Sequence, residues 1–336
     1  MTGWLSPLSH TERMRRPIEW RFVADRFGLV LLLSSWLLFA LAVAGAAFQR
    51  GSADLFSDTE LYWQATATWV AGGDPWSVTR NGITFLGWPP TLLLNLPLLP
   101  FGERAAMVWP IAGLAGMVYA IRHYRLPMWW LLFPSFVEGW LSGSPDYALL
   151  ALLILGGGAV AVATKPYAIP AIIAQGRWHA VAVGLALVAA SVLILPWGQY
   201  FARRSAIEGT LVATSHNVSA WGDPALMGLT AIALASLGWR RALFLAVPGL
   251  WPGAQPHYAI FSIGEAARSK WLAFVLGLPF PSSAALGIIV YAVARKVWQR
   301  VAPAASGVAV NDVPGARSES QLTPQMTLRS RRLTQR

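Results

Sequence analysis

Residues 27–48 form an apolar run without a single Asp, Glu, Lys or Arg, and no other feature limits the fold so tightly. About 20 such residues in a helix cross the hydrocarbon layer of a bilayer. Apolar runs recur along the chain, and only 12% of its 336 residues are charged, against 55% hydrophobic. A typical soluble domain carries roughly 25% charged residues, so the composition excludes an ordinary water-soluble enzyme and a disordered protein. The absence of cysteine excludes disulfide scaffolds, thiol nucleophiles, and thiolate zinc or iron–sulfur sites.

The first run follows Arg13, Arg15, Arg16, Arg21 and Arg26, a basic flank that marks the cytoplasmic side of a span. Further spans are expected near 91–101, 105–121, 128–141, 147–163, 167–174, 180–197, 225–237, 242–251, 258–263, 271–278 and 284–297. The expected fold class is therefore all-α and polytopic, with about ten to twelve transmembrane or half-spanning helices. The organisation reads as a basic cytoplasmic segment (1–26), a membrane domain (27–300) and a basic, disordered cytoplasmic tail (301–336). Two polar insertions, 49–88 and 198–222, fall outside the cytoplasm; the first contains a turn at Gly72-Gly73-Asp74-Pro75 and a surface helix over 60–70. With twelve crossings Arg122 and Arg125 also fall outside, against the positive-inside pattern. The net charge of +11 splits into +2 over 1–26, +5 over 27–297 and +4 over 298–336. These charges flank spans and are not interleaved with aromatics, so nucleic acid is not an expected partner. Trp88, Trp109, Trp129, Trp130, Trp197, Trp239, Trp251 and Trp298 stand at span ends, as in an interfacial belt.

Carboxylates are costly in such a chain unless wet or paired. Asp54 and Asp58 share a helical face that Tyr62 continues; they read either as solvated loop acids or as a general base for an acceptor hydroxyl. Glu138 and Asp146 read as caps or as buried partners to a base. Lys165, between two apolar runs, either snorkels or holds a lipid phosphate, as do Arg203 and Arg204. His216 and Asn217 lie in a segment of neutral hydrogen-bonding groups suited to sugar hydroxyls, and His257-Tyr258 follows Pro256. No phosphate loop, dinucleotide fingerprint or His-Glu-x-x-His stretch occurs, and neither metal nor cofactor is expected.

The order of motifs is familiar. Asp58-x-x-x-Tyr62, Ala67, Ala71-Gly72-Gly73-Asp74-Pro75-Trp76 and Phe85-x-x-Trp88-Pro89-Pro90 are followed by Leu96-Pro97-Leu98-Leu99-Pro100-Phe101, Ala105 and Trp109. Gly143-Ser144-Pro145-Asp146, Lys165-Pro166, Asn217-x-Ser219 and His257-Tyr258 complete the series. The series resembles the polyprenyl-phosphate-dependent mannosyltransferase family of bacterial integral-membrane glycosyltransferases of the GT-C type. Trp76 and Trp88 stand where that family more often has Tyr, and Tyr167 follows Pro166 where Gln is usual. The resemblance implies a multi-pass protein of the bacterial inner membrane with Asp58 as catalytic base at the outer face. It also implies a sugar donor carried on polyprenyl phosphate, a lipid or glycan acceptor, membrane lipids as surroundings, and no nucleotide site. Asp54, Tyr62, Lys165, Arg203, Arg204, His216, Asn217, His257 and Tyr258 are the candidate substrate-binding residues. Two other readings stand beside this one: a lipid or sugar transporter or flippase, and a non-catalytic membrane relative.

Overall fold

A computed structural model describes residues 20–50, 55–213, 217–278 and 280–306. Asp54, His216 and most of the basic tail lie outside them. Two compact units divide the chain, 1–293 and 294–336, and the described part of the second is helical. The fold is all-α; strands are confined to one two-residue hairpin among the described residues.

The first apolar run forms α1 (Trp20–Arg50). Leu32 and Trp36 are buried while Phe27, Leu38 and Leu41 face outward, so only a narrow stripe of this helix packs on protein. The expected surface helix is α2 (Ser57–Val70). It leads into the hairpin β1 (Thr79–Arg80) and β2 (Ile83–Thr84), which periodicity did not foresee.

The stretch expected to cross at 91–101 does not form a helix of spanning length. It is a series of 3-10 turns, Pro89–Leu94, Leu96–Phe101 and Glu103–Met107, on the α2 side. Pro89, Pro90, Pro97 and Pro100 lack the N–H that an α-helical ladder needs, and apolarity alone concealed this. From there α3 (Val108–His123) runs away from α2, whose Gln64 donates to Glu103 at its near end.

The expected span 147–163 is also divided. α4 (Pro134–Ser142) precedes α5 (Asp146–Leu155), and the pair Gly156-Gly157 turns the chain back into α6 (Gly158–Thr164). This reversal returns Lys165 to the level of Asp146. The chain continues through α7 (Ile169–Ala174), α8 (Trp178–Ser191), α9 (Trp197–Ala213), α10 (Pro224–Leu237) and α11 (Trp239–Leu250). A 3-10 segment, Pro256–Ser262, then leads to α12 (Ile263–Ala266), α13 (Lys270–Leu276) and α14 (Ser283–Ser306). Helix thus continues past the expected start of the tail.

Because 91–101 forms 3-10 turns on the α2 side, α3 carries Arg122, in its last turn, to the end of the bundle remote from α2, with Arg125 just beyond. The loops holding Arg177, Arg240 and Arg268 gather at the same end, around His123 and Tyr124. The tryptophans are also redistributed. Trp36 is 1% exposed and sits within 5.5 Å of the ring centroids of Trp129, Trp130 and Phe133. Trp129 and Trp130 therefore belong to an aromatic core knot and not to an interfacial belt, whereas Trp239 and Trp298 are exposed. A smaller apolar cluster of Leu61, Ala65, Trp76, Phe85, Leu92 and Ile207 joins the two polar insertions above the bundle.

Candidate active site

Asp58 enters the site through the first turn of α2, and a tight joint fixes that turn. The Phe56 amide donates to the Leu141 carbonyl at 2.8 Å, and Thr59 Oγ1 donates to the Gly143 carbonyl at 2.7 Å. Gly143 has φ +79°, and a β-carbon there would lie 2.1 Å from Thr59 Oγ1. Only glycine allows both the left-handed backbone and this approach. A second close approach brings His257 into place: a β-carbon on Gly139 of α4 would stand 2.7 Å from His257 Cβ.

Asp58, Tyr62, Lys165, His257 and Tyr258 line one cleft of about 200 Å³. Its floor is charged. Lys165 Nζ is 3.1 Å from Asp146 Oδ1 and donates to the Tyr62 hydroxyl at 2.8 Å. Tyr167 donates to Asp146 Oδ2 at 2.5 Å and stacks on Tyr258 with ring centroids 4.2 Å apart. Glu138 Oε2 accepts the His257 amide at 3.0 Å and lies 2.8 Å from Nδ1, while Nε2 is 3.7 Å from Asp146 Oδ2. The side chains of Asp146, Lys165 and His257 are 0%, 8% and 5% exposed. Burial of this depth is tolerable only because the ions are mutually paired. The walls are apolar: Leu61, Leu86, Ile207 and Leu211 stand above the floor with Trp88 and Trp251. Trp88 and Thr91 both donate to the Thr164 carbonyl, at 2.8 and 2.9 Å, which secures the backbone immediately before Lys165.

Asp58 is half-buried and, among the described residues, in no ion pair. Burial pushes its carboxyl above the ordinary carboxylate value, opposed by the nearby His257, a hydrogen bond with Ser142 and the charge of Lys165. Burial likewise raises the Tyr62 phenol, with the Lys165 ammonium opposing it, so Tyr62 stays protonated and available as a donor. A half-buried acid with a raised pKa, facing a cleft between a lysine and a histidine, has the chemistry of a general base.

The other candidates stand apart. Arg203 pairs with Asp74 at 2.9 Å, and Arg204 with Glu208 at 2.6 Å on the exposed face of α9. Neither lines the cleft, although Tyr200, Ile207 and Leu211 of the same helix do. Asn217 is engaged in its own turn, donating to the Trp221 carbonyl and accepting from the Ser219 amide and hydroxyl. Sequence reasoning left Glu138 and Asp146 open between cap and partner; here they partner His257 and Lys165. It missed Tyr167, whose hydroxyl holds Asp146. An isolated acid in an apolar run was the available signal for Asp146; nothing comparable flags a tyrosine. Among the described residues no cluster of His, Cys, Asp and Glu is arranged to hold a metal ion. The chain matches no protein-family model, no curated protein and no solved structure.

Proposed function

We propose that this chain is a multi-pass membrane glycosyltransferase of GT-C-like architecture. It transfers a hexose or pentose, with mannose favoured, from a polyprenyl-phosphate donor to a lipid or glycan acceptor at the outer face of the bacterial inner membrane. One observation carries the reading: Asp58 faces a cleft whose floor holds Lys165, Tyr62 and His257 and whose walls are apolar. Such a cleft suits an amphiphilic donor, with its sugar phosphate on the floor and its chain along the walls.

The membrane assignment draws support from three directions. Arg26–Gly45 and Glu103–His123 are long and apolar enough to cross a bilayer, and shorter apolar helices lie at Asp146–Leu155, Trp178–Ser191 and Pro224–Leu237. Ile111, Leu155, Leu193 and Ile232 are between 66% and 88% exposed on four different segments, an arrangement that a lipid solvent favours and water does not. Arg122, Arg125, Arg177, Arg240 and Arg268 gather opposite Asp58, as the positive-inside rule requires if Asp58 faces outward.

In the reaction Asp58 accepts the proton of an acceptor hydroxyl as its oxygen bonds to sugar C1. The bond from C1 to the phosphate oxygen breaks, and polyprenyl phosphate leaves with that electron pair. An ammonium has three N–H donors; those of Lys165 that face Tyr62 and Asp146 leave one for the departing phosphate. Tyr258 and His257 border the same space. Purified protein in proteoliposomes, supplied with a polyprenyl-phosphate sugar, is expected to transfer the sugar, and Asp58→Asn is expected to abolish transfer while eluting and unfolding as a folded protein. Full activity in that variant would overturn the assignment.

The buried chain Glu138–His257–Asp146–Lys165 favours a second reading, a proton-coupled transporter of lipid or sugar, since such chains serve as proton relays. Substrate flux across the liposome, without change in the sugar's covalent linkage, selects that reading.

A further inference from the structure

A second, larger cavity of about 480 Å³ lies at the opposite end of the bundle from Asp58. It opens where the far end of α3 meets the loop after α7, the start of α11 and the loop after α12. The chain between the two sites sets their separation. The helical stretch Glu103–His123 begins beside α2 and ends at this cavity, and its 21 residues span roughly 30 Å at about 1.5 Å per residue.

The cavity is positively charged by construction. Arg240 and Arg268 line it with His123, and Gln175 and Tyr124 add neutral hydrogen-bonding groups. No acid is among these lining residues; Glu265, next to the lining Gly264, is engaged by Arg241 and lies 3.6 Å from Arg268. One carboxylate thus serves both Arg241 and Arg268, and with Arg240 added the cavity keeps a net positive charge. Arg240 is in no ion pair among the described residues. Phe244 and Leu126 supply an apolar side. Two guanidinium-bearing residues lining one concave, partly aromatic space supply donors suited to the oxygens of a phosphate ester. The volume falls within the range of small-molecule sites.

We infer that this cavity, separate from the Asp58 cleft, binds a phosphate ester through Arg240 and Arg268. The ester belongs to an anionic phospholipid headgroup or to a soluble phosphate compound, and the chemistry of recognition is common to both. The inference does not depend on the transferase assignment.

The test uses the full chain in nanodiscs. Two probes are applied: glycerol 3-phosphate added to neutral phosphatidylcholine discs, and discs containing phosphatidylglycerol. Binding is read by native mass spectrometry and by the unfolding temperature. The full chain is expected to bind at least one probe, with affinity falling as salt is raised. Arg240→Gln with Arg268→Gln is expected to weaken that binding about tenfold or more, the loss expected for charge-assisted hydrogen bonds. Arg203→Gln with Arg204→Gln, at the opposite end, is expected to leave it unchanged. Arg268 is 62% exposed and Arg240 is exposed, so these substitutions spare the core; the salt dependence, measured on the unaltered chain, stands even if a variant misfolds. Binding of the soluble ester selects a soluble ligand, and binding only in phosphatidylglycerol discs selects a headgroup. Binding of neither probe, or equal binding by both double variants, overturns the inference.

Discussion

Lys165 and Asp146 offer the most direct test of the site, because their pairing requires the reversal at Gly156-Gly157. The two charges are 3.1 Å apart, with Asp146 fully buried and Lys165 8% exposed. At an effective dielectric near 20, two unit charges at that distance attract by about 5 kcal/mol before desolvation is subtracted. Removing one partner leaves the other charged and buried, which typically costs about 3–5 kcal/mol. Asp146→Asn is expected near the lower bound, about 3 kcal/mol, because Lys165 retains its bond to Tyr62. Lys165→Met is expected to cost about 3–5 kcal/mol, since Asp146 is fully buried and Tyr167 and His257 reach only its other oxygen. The double variant leaves no orphaned charge and should cost less than the sum, by at least about 1.5 kcal/mol. Equilibrium unfolding in mixed micelles, followed by far-ultraviolet circular dichroism, measures all four corners of the cycle. Costs that add to within about 0.5 kcal/mol would show that the two residues do not meet, and the α5–α6 hairpin would have to be abandoned.

Other outcomes follow from single contacts. Gly143→Ala places a β-carbon 2.1 Å from Thr59 Oγ1 at φ +79°; it is expected to cost at least about 1–2 kcal/mol from the backbone alone and to reduce transfer by displacing Asp58. Gly139→Ala places a β-carbon 2.0 Å from the buried Tyr147 hydroxyl and 2.7 Å from His257 Cβ, and is expected to lower both stability and transfer, read on the same preparation. Because burial raises the Asp58 carboxyl, transfer should fall as pH drops through a midpoint above the ordinary carboxylate value. The folded state then holds the proton more tightly than the unfolded one, so this group lowers stability as pH rises from the unfolded pKa through the folded one. Asp58→Asn is accordingly expected to stabilise the protein at neutral pH while abolishing transfer; a variant less stable at pH 7 and equally stable at low pH contradicts this sign.

The elements that were legible in the sequence are those set by local pattern. The run at 27–48 gave α1, the aromatic spacing over 60–70 gave most of α2, and a charge interrupting two apolar runs marked Lys165. The misreadings arose where chain chemistry or distant packing decided. Hydropathy treats 91–101 as a span because it weighs side chains and ignores the missing proline amides. The reversal at 156–157 is visible only as three consecutive glycines, Gly156 to Gly158, in an apolar stretch, yet it brings Lys165 back to Asp146. Arg203 and Arg204 read as phosphate ligands because their acids, Asp74 and Glu208, were assigned no partners. A charge run cannot be interpreted until its counter-charges have been placed.

The same reasoning separates the acids of the first insertion, which sequence position alone treats as equivalent. Glu60 pairs with Arg80, which also reaches Glu103 at 3.2 Å. Asp74 accepts the Trp76 amide at 3.0 Å and pairs with Arg203. Both therefore have structural work that accounts for their presence. Asp58 is held in a cleft beside Lys165 and His257, which are committed to other carboxylates, Lys165 to Asp146 and His257 to Glu138. Leaving an acid half-buried without its own cation costs stability, offset in part by its place in the first turn of α2, where the helix dipole favours a negative charge. A fold that satisfies Glu60 and Asp74 with nearby arginines but leaves Asp58 facing the cleft concentrates its unmet electrostatic cost where a base is useful. That contrast, more than the density of acids in the insertion, is the reason to propose Asp58 as the base.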